Sequence, residues 1–97
     1  MNRQQIERAI QSIGKGCFVK YFEDFRDFSK SNTDLVDLLM RSENYTETAS
    51  NTRVTNSRNI IKSGHAHEVL LEISKSNRLD YATITKAKEL LRKYPSS

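Results

Sequence analysis

The residues of this chain best suited to chemistry lie between Asn44 and Lys62. The run NYTETASNTRVTNSRN, residues 44–59, contains ten Ser, Thr or Asn. No acid occurs from Thr48 to His67, and Arg53, Arg58 and Lys62 fall inside that window. These are the side-chain types that meet nucleic acid: arginine toward guanine edges, asparagine toward adenine edges, Ser or Thr toward phosphate oxygens. Read as a helix, the segment has Ser50, Val54, Ser57 and Ile61 inward, with Ala49 and Ile60 flanking. The outward face then carries Asn51, Thr55, Arg58, Asn59 and Lys62, with Thr52, Arg53 and Asn56 on its borders. A helix start near Thr46 adds free backbone N–H groups that suit phosphate. The candidate nucleic-acid contacts are therefore Thr46, Asn51, Arg53, Thr55, Asn56, Arg58, Asn59 and Lys62.

Ser, Thr and Asn have middling helix propensity because their side chains compete for backbone partners. Such a segment stays helical only when tertiary contacts hold it. The other reading is a flexible surface loop, which would be long for a compact domain of this size.

Other constellations carry less. His65-Ala66-His67-Glu68 suggests a metal, but helix positions i and i+2 point to different faces, so no metal site is expected. Cys17, the one cysteine, sits beside Phe18 and reads as a small buried hydrophobe rather than a nucleophile. Gly14-Lys15-Gly16 lacks the spacing and the preceding strand of a phosphate loop. Glu23, Asp24 and Asp27 read as solvated charges. No Ser/His/Asp or Cys/His set has motif context, so the chain is read as non-enzymatic and without a cofactor.

The elements that would position the segment follow from apolar spacing. Ile6, Ala9, Ile10 and Ile13 form one helical stripe, with Gly14 placed as a C-terminal cap. Phe18, Tyr21, Phe22, Phe25 and Phe28 predict a central aromatic helix whose rings form the core. Ser31-Asn32-Thr33-Asp34 offers N-caps for a helix carrying Leu35, Leu38 and Leu39. Asn44 suits a left-handed turn and, with Glu47, can also open a capped helix running to about Lys62 and stopping at Gly64. Ala66, Val69, Leu70 and Ile73 mark a short helix, and Ser76-Asn77-Arg78 a loop. Asp80 caps a last helix with Ile84, Ala87, Leu91 and Tyr94 as its buried edge and Leu90 beside them. The expectation is an all-α domain, residues 1–97, folded as a compact bundle of five or six short helices.

Composition bounds the rest. Ninety-seven residues make one domain. Apolar residues are 36% of the chain, about 39% with the three Gly counted, against roughly 45–50% for an average domain. The core must be modest, helped by good local structure, a partner or a homodimer. One cysteine excludes an intrachain disulfide. No apolar run approaches the length of a membrane span, and no leader pattern opens the chain, so a cytoplasmic protein without membrane contact is expected. The net charge of +4 tolerates an acidic partner without demanding one.

Leu39 to Ile61, with Asn44-Tyr45 as a turn and Thr52-Arg53-Val54-Thr55-Asn56-Ser57-Arg58 after it, resembles a helix-turn-helix of the sigma-factor region 4 type. The likeness covers about a quarter of the chain. It implies that Leu35 to Glu43 support a recognition helix, Thr46 to Lys62, in a small DNA-binding protein of the transcriptional-regulator kind. Met40, Asn44 and Ser50 depart from the family pattern, which has a small residue, a turn glycine and an apolar anchor there. The competing expectation is a helical protein-interaction module of adaptor, inhibitor or immunity type. In that case the polar helix is a protein epitope.

Overall fold

The computed structural model describes residues 1–95. Among them are seven helices and no strand: α1 (Arg3–Ile13), α2 (Lys15–Lys20), α3 (Phe22–Phe25), α4 (Asn32–Glu43), α5 (Glu47–Lys62), α6 (Ala66–Ser74) and α7 (Tyr81–Lys93). The all-α bundle expected from apolar spacing is the observed architecture.

Most helix ends are set by local chemistry. Asn2 and Gln5 form a reciprocal capping box at the start of α1, and Ser31 and Asp34 do the same for α4. Asp80 accepts from the Thr83 amide at 3.0 Å to open α7. Gly14, at φ +86°, ends α1 and turns the chain into α2. Asn44 ends α4 in the left-handed region, φ 59° and ψ 30°, and is the one non-glycine residue with positive φ among those described. The N-cap of α5 is Thr46, whose hydroxyl accepts from the Ala49 amide at 3.1 Å, not Asn44.

The expected central aromatic helix is two short helices. The chain breaks at Tyr21 (φ −108°, ψ 16°) and leaves helical geometry after Arg26. Phe18, Tyr21, Phe22 and Phe25 are buried, whereas Phe28 lies past the end of α3 with 51% of its surface exposed. The extra break raises the helix count to seven. The central position belongs instead to α5, which packs on α1, α3 and α4. Ser50 and Ser57, both fully buried, present small side chains where those neighbours approach.

Two apolar clusters fill the interior. The larger joins α1, α2, α3, α5, α6 and α7 through Ile13, Phe18, Phe22, Ile60, Leu70, Ile73 and Leu90. The smaller sets Tyr21, Phe25, Leu35, Leu39 and Val54 together, and half-buried Cys17 and Ile61 touch both. In α7 the fully buried edge is Ala87 and Leu90; Ile84, Leu91 and Tyr94 are half-buried. Polar staples tie the layers. Glu43 accepts from Lys20 Nζ at 2.7 Å and from the Tyr21 hydroxyl at 2.6 Å. Glu23 accepts from Lys93 at 2.6 Å and from the Tyr94 hydroxyl at 2.7 Å, which holds its carboxyl down at about 2.

The left-handed residue between α4 and α5 makes a sharp test. Asn44→Gly should melt within a few degrees of the parent, because glycine adopts φ > 0 freely. Asn44→Val should lose about 1–2 kcal/mol, since a β-branched residue resists that geometry. Equal melting of the two variants by circular dichroism would contradict the turn.

Candidate functional site: the polar face of α5

Helix α5 lies between α1 and α4, and each packs extensively against it. One stripe of its surface remains open: Thr48, Asn51, Thr52, Thr55, Asn59 and Lys62 are all exposed. At 100° per residue these six positions fall within about a third of the helix circumference. Among the described residues, no hydrogen bond is made by the side chains of Thr48, Asn51, Thr52, Thr55 or Asn59, so the fold does not use them.

The two arginines of the segment are elsewhere. Arg58, expected on the outward face, is buried with 6% of its surface exposed. Its Nε donates to the Phe25 carbonyl at 3.1 Å, its Nη2 to the Asp27 carbonyl at 2.8 Å, and its Nη1 to Asn32 Oδ1 at 2.9 Å. The Phe28 ring lies over the guanidinium, 4.8 Å from its centroid. The physical reason is the unfinished end of α3, whose C-terminal carbonyls have no helical partner and attract a cationic donor. Arg53 does the same for α1. It is half-buried, its Nη1 donates to the Ile13 carbonyl and to that of Ser12 at 3.4 Å, and it stacks 4.1 Å over the Tyr45 ring. Positions five apart point about 140° apart on a helix, so the two serve opposite flanks.

The remaining candidates divide. Thr46 is spent on the N-cap, and Glu47 in the first turn already places a carboxylate at the positive end of the helix dipole. Asn56 is half-buried and donates back to the Thr52 carbonyl at 3.0 Å. Asn51, Thr55, Asn59 and Lys62 stay together on the open stripe. The structure thus assembles four of the eight sequence candidates and assigns the other four to capping or packing.

The borders of the stripe come from α4, the expected supporting helix, and from α1, which no sequence pattern connects with it. On the α1 side a groove is lined by Gln5, Arg8, Ala9 and Ser12 against Asn56, Asn59 and Lys62, without a carboxylate. On the α4 side, nearer the start of α5, a groove is lined by Thr33, Asp37 and Met40 against Glu47 and Asn51, without a cation. Among the described residues neither Arg8, Lys62, Asp37 nor Glu47 forms an ion pair. The face is neutral and hydrogen-bonding along its middle, basic at one corner and acidic at the opposite one. No single segment of sequence carries that arrangement; only the packing of α1 and α4 on α5 creates it.

The remaining reactive groups are placed away from the face. Cys17 is half-buried at the junction of the two clusters, and desolvation pushes its thiol up to about 11 despite the pull of Arg53. His65 meets the Glu68 carboxylate on its own helix turn. Among the described residues, no group of three His, Cys, Asp or Glu comes together as a metal-ligating set. Among the described residues, no helix is long and apolar enough to cross a membrane.

No protein family, curated protein or solved structure matches this chain.

Two substitutions check the site. Arg58→Ala should lower stability by about 2–4 kcal/mol, because it strands the buried Phe25 carbonyl and removes the charge-assisted bonds to Asp27 and Asn32. Arg58→Lys should recover only part of that, lacking the fork that reaches three acceptors. Denaturant titration measures both; an Arg58→Ala protein as stable as the parent would contradict the structural role. Cys17 should react with a bulky thiol reagent far more slowly in the native protein than in denaturant at pH 7, because its thiolate is scarce. Native labelling as fast as that in denaturant would contradict it.

Proposed function

We propose that this chain is a non-enzymatic helical interaction module that docks a protein partner on the face formed by α1, α5 and α4. The observation that carries this reading is the open stripe of α5. Five uncharged Thr and Asn side chains cost helix propensity, contribute no internal hydrogen bond, and are bounded by opposite charges at the two ends. A hydrogen-bonding surface of mixed charge is complementary to another protein surface, where charges of both signs set register and suppress wrong partners.

DNA binding is the second reading, favoured by the short Asn44 turn between α4 and α5 and by Asn51, Thr55, Asn59 and Lys62 on the open stripe. Two features weigh against it. The arginines that would carry most of the phosphate attraction cap α1 and α3 instead, and Asp37 and Glu47 stand where a duplex backbone would meet the start of α5. A helix flanked on both sides also presents a broad face, whereas a major groove admits a protruding helix.

A photocrosslinking residue in place of Thr55, with one in place of Lys88 on α7 as control, separates these readings in native lysate. The expected result is Thr55-dependent capture of protein that persists after nuclease treatment. Capture abolished by nuclease, together with duplex binding at low salt that falls steeply as salt rises, would move the assignment to DNA. Equal capture from Thr55 and Lys88 would reject the face.

A further inference from the structure

A second cleft shares no lining residue with the grooves beside α5. It lies between α2 and the first two turns of α7, with Glu43 at the end of α4 beside it, and measures about 430 Å³. Gly16, Cys17, Val19 and Ala82 give it small apolar walls. Burial keeps the Cys17 thiol protonated, so it adds wall rather than charge. A cavity of this size, apolar with a few polar groups, is the usual form of a small-molecule site.

Two features of the cleft are not demanded by the fold. The first is Gly16, inside α2. Glycine weakens a helix relative to alanine, and Gly16 has no positive φ that would require it. A Cβ added there would meet only the Thr83 hydroxyl, at 4.0 Å, an ordinary contact. What the missing side chain leaves open is the cleft. The second feature is Lys86. Glu23 Oε2 accepts from Lys93 at 2.6 Å and from the Tyr94 hydroxyl at 2.7 Å, whereas Lys86 reaches only Oε1, at 3.5 Å. A ligand can therefore claim Lys86 without stripping Glu23 of its close partners. The other polar groups of the lining are committed. Glu43 accepts from Lys20 and from the Tyr21 hydroxyl, and the Thr83 hydroxyl donates to Asp80 at 2.8 Å.

We infer that this cleft binds a small amphipathic carboxylate, its apolar body along Gly16, Cys17, Val19 and Ala82 and its carboxylate on Lys86 Nζ. The charges of Lys20 and Glu43 cancel, so the net charge of the lining is that of Lys86. An acid is accordingly preferred to an alcohol or an amine of the same length. Lys86 is partly exposed, so the affinity is modest and falls with salt.

Titration of the whole chain, labelled with nitrogen-15, with hexanoate, hexanol and hexylamine at low salt tests the site. Hexanoate should shift the amides of Gly16, Cys17 and Thr83 saturably and bind more tightly than the other two. Lys86→Gln should weaken hexanoate about three- to tenfold and leave hexanol unchanged. Lys88→Gln, on the exposed side of α7, should change neither. Gly16→Leu fills the cleft and should weaken all three ligands, with circular dichroism checking that it remains folded. If that variant does not fold, Lys86→Gln against Lys88→Gln decides. The proposal is overturned if hexanoate gives no saturable shift at these amides, or if hexylamine or hexanol binds as tightly. It is equally overturned if folded Gly16→Leu binds as the parent does, or if Lys86→Gln and Lys88→Gln behave alike.

Discussion

The structure depends on two guanidinium groups of one helix closing the ends of two others. The C-terminal carbonyls of α1 and α3 have no partners within their own helices, and burying them bare would cost about 1–3 kcal/mol apiece. Arg53 reaches the carbonyls of Ser12 and Ile13, and Arg58 those of Phe25 and Asp27. Each is sealed by an aromatic ring, Tyr45 on one side and Phe28 on the other. A charge drawn into the interior without a directly bonded carboxylate is tolerated because delocalised charge meets several oriented dipoles at once.

That arrangement explains how so polar a helix can be central. Its apolar contribution is small, chiefly Val54, Ile60 and Ile61. Its buried serines leave space for close approach rather than large area, and its arginines supply directional ties to both flanks. What the inner surface accomplishes with few atoms leaves the outer stripe free of structural duty. The fold therefore does not dictate the Thr and Asn residues displayed there.

Much of the architecture was legible in the sequence because it rests on local rules. Apolar stripes located α1, α4, α6 and α7. Ser31 and Asp80 marked helix starts, and Asn44 marked a left-handed turn through its tolerance of positive φ. The break at Tyr21 was not legible, since Phe18, Tyr21, Phe22, Phe25 and Phe28 continue a helical spacing past the point where the backbone leaves the helix. What ends α3 is bonded from residue 58, and local pattern carries no record of it. The direction of Arg58 was hidden for the same reason. A guanidinium whose partners are backbone carbonyls leaves no complementary carboxylate to find, and a surface arginine looks identical in sequence. The corners of the candidate face were equally invisible, because Arg8 and Asp37 join it only through packing.

The span of these caps has a consequence during synthesis. Arg53 closes α1 across 40 residues, and Arg58 closes α3 across 33. A chain emerging from the ribosome can wind α1 early, yet cannot finish that helix's end until the 40 residues from Ile13 to Arg53 are out. Domains generally fold as units, and contacts of long sequence separation must first repay loop closure. The ends of α1 and α3 thus wait on α5 for their caps.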